Sequence, residues 1–100
     1  MIKESDWKIF KRVKEQALER YCAAAMADFE QAIQQNDMSH HARYNYLYKL
    51  VVNSDKRLGL LFDGHSRSRA PLQLTLLREE GLVEDKELEG MSDELLKSTK

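Results

Sequence analysis

The feature that most constrains the fold is that neither glycine nor proline occurs before Gly59. From Trp7 to Ala32, apolar residues recur at intervals of three and four, which is the spacing of an α-helix with an apolar side. Valine, isoleucine and threonine are few, and no stretch alternates between apolar and polar residues as a half-buried strand does. The sequence therefore predicts an all-α protein that begins with one long helix.

This first helix is expected to span residues 5–36, with Ser5 as its N-cap residue. About 30 residues that rise 1.5 Å each make a rod of about 45 Å. A compact globule of 100 residues is only about 33 Å across. The apolar residues also fall on two seams, rotated by about a quarter turn, which could face different neighbours. We therefore expect an elongated fold in which the first helix contributes to a homodimer interface.

A second helix is predicted over residues 39–63, with Ser39 as its N-cap residue. Residues 53–55, Asn-Ser-Asp, are poor helix formers. The apolar residues on either side of them nevertheless share one angular phase, which favours a continuous or kinked helix over a loop. The sequence alone leaves open whether the helix is broken at this point.

A third helix is predicted over residues 68–80, because Pro71 suits a first helical turn and Gly81 suits the left-handed residue that ends a helix. A short acidic helical hairpin follows, and we expect residues 97–100 to be frayed. The predicted architecture is an elongated helical bundle of three main helices with this hairpin, in a single domain over residues 1–100.

The formal net charge of −1 conceals two segments of opposite charge. Residues 39–78 carry seven Lys and Arg against two Asp, whereas residues 79–100 carry eight acidic residues against three Lys. Three interpretations remain open. The first is that the charges only form a solvated surface, and the second is that the acidic tail folds onto the basic segment within one chain or across a dimer. The third is that the basic segment binds an acidic partner or nucleic acid.

The best candidate binding loop is the basic stretch from His65 to Arg69, between the second and third helices. It places two arginines close to a helix N-terminus, a location that favours anions. The candidate residues for binding an anion or an acidic partner are Arg67, Arg69, His65 and Arg57.

Neither a catalytic site nor a metal site is predicted. His40 and His41 are adjacent, so on a helix they point about 100° apart and cannot readily share a metal ion. Cys22 lies in an apolar seam without an activating base nearby. The chain has no glycine-rich phosphate-binding motif. We expect no enzymatic activity, no metal and no cofactor.

Three tyrosines lie close together in the second helix. Tyr44 and Tyr48 share the apolar stripe with Leu47 and are expected in the core or in an interface, whereas Tyr46 is expected to face outward. Interleaved with basic residues, such tyrosines could also stack on single-stranded nucleic acid.

The function these observations favour is protein–protein interaction by a small non-enzymatic helical protein that forms a homodimer. The alternative is nucleic-acid or anion binding through residues 39–78, and a third reading is a small ligand bound between helices. No apolar run approaches the ~20 residues of a membrane span, and the N-terminus lacks the apolar region of a signal peptide. With a single cysteine, the chain is expected to be cytoplasmic, without membrane contact. The biological process and the identity of any partner cannot be predicted from the sequence.

Overall fold

The computed structural model describes residues 2–100, and within that range it contains helices and no strand. The all-α prediction is confirmed, and the three main helices begin and end within three residues of the predicted limits. The elements, in chain order, are α1 (Glu4–Ile33), α2 (His40–Phe62), α3 (Ala70–Glu79), a short 3₁₀ helix (Asp85–Leu88) and α4 (Asp93–Ser98).

Of the two N-cap residues predicted for the first two helices, Ser39 is confirmed and Ser5 is not. The Ser39 hydroxyl accepts a hydrogen bond from the backbone N–H of Ala42, and α2 then runs unbroken through residues 53–55. The prediction of Ser5 as the first N-cap residue is wrong, because Lys3 occupies that position without a side-chain bond. The backbone N–H of Trp7 already bonds to the Lys3 carbonyl oxygen at 2.9 Å, so helical geometry begins before Ser5.

The helices α1 and α2 form a long antiparallel hairpin. The Tyr21 hydroxyl donates to the Ser54 carbonyl oxygen at 2.7 Å, and Lys14, two turns earlier in α1, donates to the Gly64 carbonyl oxygen at 2.7 Å. The molecule measures 53 × 23 × 18 Å, and its radius of gyration is 16.8 Å, against about 13 Å for a compact chain of this length. The elongated shape is therefore confirmed.

The buried core is confined to one end of the hairpin. Two adjoining clusters of buried apolar residues draw on the first half of α1, the end of α2, α3 and the C-terminal segment: Trp7, Phe10, Val13, Ala70, Leu74, Leu88, Met91 and Leu95 in one, and Ala17, Leu61, Phe62 and Leu77 in the other. Between residues 22 and 52, only Ala32 is buried. We call residues 22–52 the arm, and residues 2–21 together with 53–100 the body.

The C-terminal segment is fastened to the body by polar side chains. Asp6, which is buried, accepts hydrogen bonds from the backbone N–H and the hydroxyl of Ser92, at 2.8 and 2.6 Å. Arg78 donates to the Thr99 hydroxyl at 3.0 Å, and Thr99 is itself buried. Whereas we expected residues 97–100 to be frayed, α4 continues to Ser98 and is followed by this buried threonine.

The bonds of Asp6 lead to a prediction about stability. Replacement of Asp6 by alanine leaves two donors of Ser92 without their partner in a buried setting, so Asp6→Ala should lower the free energy of unfolding by about 2 kcal/mol. Ser5→Ala is the matched control, since the exposed Ser5 caps nothing, and its effect should stay within about 0.5 kcal/mol. Urea unfolding measures both values, and similar losses in the two variants would contradict the prediction.

Candidate functional site

One side of the arm carries a row of large apolar side chains exposed to solvent. Comparable exposure is unusual for residues of this kind when they lie together on one surface of a monomer. We call these residues the arm face; their exposed fractions are 64% for Met26, 54% for Ile33, 72% for Tyr44, 65% for Tyr48 and 43% for Val51.

Helix geometry places these five residues on the same side of the hairpin. Tyr21 of α1 and Ser54 of α2 touch each other and therefore mark the line of contact between the helices. At 100° per residue, the members of the arm face lie roughly 60–140° around their own helix from that line, in the same rotational sense. Because the helices face each other and run antiparallel, the same sense of rotation turns both sets toward one side.

The body covers the opposite side of the hairpin. Arg20 and Arg57 lie in the other rotational sense from the line of contact, where Arg20 donates to the Leu82 carbonyl oxygen and Arg57 pairs with Glu80. The segment after α3 therefore packs behind the hairpin, and nothing within residues 2–100 lies over the arm face.

The tyrosines of α2 are arranged differently from the prediction. Tyr44 and Tyr48 are not in the core, and Tyr46, which was expected to face outward, is the least exposed of the three. The two tyrosines do share one stripe of α2 with Leu47, but that stripe is not centred on the contact with α1. The line of contact with α1 passes closer to Leu47 and Leu50, which leaves Tyr44 and Tyr48 open. Their predicted place in an interface remains a prediction.

The charged residues near the arm face are mainly acidic. No Lys or Arg occurs between residues 21 and 42, and the exposed Glu30 lies about 40° from Met26 around α1. Just beyond the arm, the exposed Asp55 lies about 20° from Tyr48 around α2. Lys49 lies about 20° from Leu60 and therefore projects away from the arm face. Within the described part of the chain, none of these three charged side chains forms an ion pair.

Three of the four predicted anion-binding residues lie in the loop beside Trp7. The His65 ring is 4.9 Å from the Trp7 ring between centroids, and the Arg67 guanidinium is 5.7 Å from it. Arg67 also pairs with Glu4 at 2.7 Å. Arg69 lies against Gly64, so the loop does bring the three residues near one another.

Arg57, the fourth of these residues, is engaged elsewhere. It pairs with Glu80 just beyond the end of α3, and this contact is the single ion pair that joins the acidic segment 79–100 to the basic segment 39–78 in residues 2–100. Both Arg57 and Arg67 therefore already have a carboxylate partner within the chain.

Two residues that sequence reasoning missed hold this loop in place. Lys14 donates to the Gly64 carbonyl oxygen, and partial burial, together with the charge of Arg69, lowers the pKa of Lys14. The buried Gln73 donates to the carbonyl oxygens of Asp63 and Gly64, at 2.8 and 3.1 Å. The sequence gives one indication of the role of Lys14: it precedes Tyr21 by seven residues, so both side chains lie on the same side of α1.

The acidic tail is attached to α1 instead of lying along α2. Arg20 makes two parallel bonds to the Glu87 carboxylate, at 2.6 and 2.8 Å, and lies 3.4 Å from Glu84. These hydrogen bonds from Arg20 lower the pKa of Glu87. The tail is therefore held on the side opposite the arm face, and Lys49 and Lys56 of α2 are exposed.

Other kinds of site have little support among the described residues. No group of three His, Cys, Asp or Glu side chains in residues 2–100 is arranged to hold a metal ion. None of the helices there is long and apolar enough to cross a membrane. An open groove of about 420 Å³ lies between α1 and α2 and is bordered by Ala24, Asp28, Asn53 and Glu80.

Comparison with known proteins adds no relative to these observations. No protein-family model, no curated protein and no solved structure matches the chain. What the protein does is therefore inferred from its own residues.

The bonds between Arg20 and Glu87 predict a dependence of stability on pH. The pKa of Glu87 in the folded state lies below its ordinary value of 4.5, so its contribution is present above that pH and is lost as the pH falls through the lowered value. Glu87→Gln should therefore destabilise the protein at pH 7 and make little difference at pH 2. Urea unfolding at both values tests this, with the exposed Glu89→Gln as control. An equal destabilisation by Glu87→Gln at the two pH values would rule out the ion pair as its cause.

Proposed function

We propose that this is a non-enzymatic helical protein that acts through protein–protein interaction, and that it forms a homodimer through the arm face. The observation that carries the proposal is the exposure of Met26, Ile33, Tyr44, Tyr48 and Val51 on a single side of the arm. Tyrosine is among the residue types that contribute most to binding energy at protein interfaces.

The size of the arm face supports this proposal. Its five residues expose several hundred Å² between them, comparable with the largest apolar patches, about 300–600 Å², on typical monomers. Burying them together with their exposed neighbours would approach the ~800 Å² per partner of a standard interface. The whole chain also exposes 7048 Å², whereas about 5,900 Å² is expected for a compact monomer of this mass.

The other functional hypotheses have weaker support. Anion or nucleic-acid binding through residues 39–78 is less well supported, because two of the four candidate residues, Arg57 and Arg67, are already paired with Glu80 and Glu4. A small ligand in the groove between α1 and α2 would lie in an open depression, whereas ligand pockets enclose most of their ligand. The arm face, by contrast, has no partner within the described chain.

The oligomeric state tests the proposal directly. At tens of micromolar, light scattering should give the mass of a dimer, and Met26→Glu should shift the mass to that of a monomer because it places a charge in the interface. Leu60→Glu is the matched control: Leu60 is as exposed as Met26, at 64%, but projects from α2 on the opposite side of the hairpin.

Three outcomes of this measurement are informative. A dimer of the wild-type protein and of Leu60→Glu, with a monomer for Met26→Glu, supports the proposal. A monomeric wild type would contradict it, and so would equal disruption by both variants. Circular dichroism establishes that each variant retains its helix content, which separates loss of association from loss of folding.

A further inference from the structure

We infer that a cleft in the body binds the carboxylate of an organic acid through Lys11 and Lys14, with the apolar part of the ligand lying on Leu18 and Phe62. The cleft has a volume of about 230 Å³ and lies between α1 and the loop that follows α2. All of its lining residues lie outside residues 22–52, so the site is separate from the arm face and does not depend on the proposed homodimer.

The cleft forms where one side of α1 faces the loop after α2. Four lining residues of α1, spaced by three, one and three positions, project from the same side of the helix: Lys11, Lys14, Glu15 and Leu18. The other wall consists of Phe62, the last residue of α2, and His65. Gly64 turns the chain between them with a φ of 82°, a conformation that side chains other than glycine rarely adopt.

The Lys14 ammonium is half-buried and has no carboxylate partner. It donates to the Gly64 carbonyl oxygen at 2.7 Å and lies 3.5 Å from the side-chain oxygen of Gln73, and both of these acceptors are neutral. Within residues 2–100, no carboxylate oxygen lies within 4.0 Å of it. Because an ammonium has three donors, one N–H of Lys14 is left for a ligand.

The surroundings of Lys14 make this unpaired charge unfavourable. Burial and the charge of Arg69 lower the pKa of Lys14, and the more distant Asp63 offsets them only in part. Charged groups that are removed from water are usually paired, and groups with an altered pKa are concentrated at functional sites. A carboxylate in the cleft would supply the missing counter-charge and raise the pKa of Lys14 again.

The charges around the cleft favour a ligand with a single negative charge. Residues 8–14 contain four Lys and Arg and no acid, and none of the four forms an ion pair within the described chain. Lys11 is one of them, and its ammonium lies 5.9 Å from the centre of the Trp7 ring. Glu15 is the one carboxylate that lines the cleft, and it would repel a phosphate dianion twice as strongly as a carboxylate.

The apolar wall of the cleft defines the rest of the ligand. Leu18 is half-buried and Phe62 is buried, so together they offer a surface for a phenyl ring or a short alkyl chain. A volume of about 230 Å³ equals that of about eight water molecules in the liquid, which suits a small acid. The groove between α1 and α2 is different, because Asp28 and Glu80 border it and none of its described lining residues is a cation.

The binding of hydrocinnamate tests the inference, with the uncharged hydrocinnamamide as the matched ligand. The acid should bind with a dissociation constant of about 1 mM, as is common for ligands of this size, and the amide at least about ten-fold more weakly. Trp7, the single tryptophan, reports binding because its ring lies against Lys11 and His65. Titration of its fluorescence measures both dissociation constants.

Three lysine variants locate the bound acid. Lys14→Met should weaken the binding of hydrocinnamate about ten-fold, because it removes a charged donor, and Lys11→Met should weaken it about three-fold. Lys8→Met is the matched control, since Lys8 is exposed on the same helix but does not line the cleft, and its effect should stay within about two-fold. Circular dichroism establishes that each variant is folded. Should Lys14→Met unfold through loss of its bond to Gly64, the comparison of Lys11→Met with Lys8→Met still decides the inference.

Three results would overturn the inference. Equal affinity for the acid and the amide would assign binding to the apolar wall alone. Equal effects of Lys8→Met and Lys11→Met would assign it to the general positive charge of α1. Loss of binding in Met26→Glu would place the ligand on the arm face; we expect this variant to bind hydrocinnamate as the wild type does, even though it fails to dimerise.

A peptide that ends in phenylalanine, with its C-terminus either free or amidated, identifies the source of the carboxylate. Binding of the free form alone means that the cleft accepts the end of a polypeptide chain. Binding of hydrocinnamate but of neither peptide restricts the site to small free acids. Both results support a carboxylate site, whereas equal binding of the two peptides would contradict it.

Discussion

The fold depends on the burial of the first half of α1, since every other part of the body packs against it. Phe10 and Val13 are almost completely buried, Ala17 contacts the end of α2, and Asp6 holds the C-terminal segment through Ser92. A chain of 100 residues has enough apolar surface for one core of this size. Past Arg20, α1 extends beyond the core and packs mainly against α2.

This division explains the character of the arm. Two helices alone can bury only the sides that face each other, so apolar residues on any other side remain exposed. The arm is held in shape by polar contacts: Tyr21 bonds to Ser54 near the body, and Arg43 donates to the Gln35 carbonyl oxygen at 2.9 Å near the tip. A second pair of helices would supply the missing layer, as in four-helix bundles.

The helices could be predicted from local patterns in the sequence, whereas the arm face depends on contacts between residues that are far apart in the chain. The limits of the helices, the continuity of α2 and the role of Ser39 depend on neighbouring residues, and the sequence contains that information. The exposure of Tyr44 depends on which side of α2 meets α1. Neighbouring residues differ by 100° around the helix, so the apolar pattern of α2 alone does not fix this side. The pairing of Arg57 with Glu80 could not be predicted, because nothing in either segment specifies it.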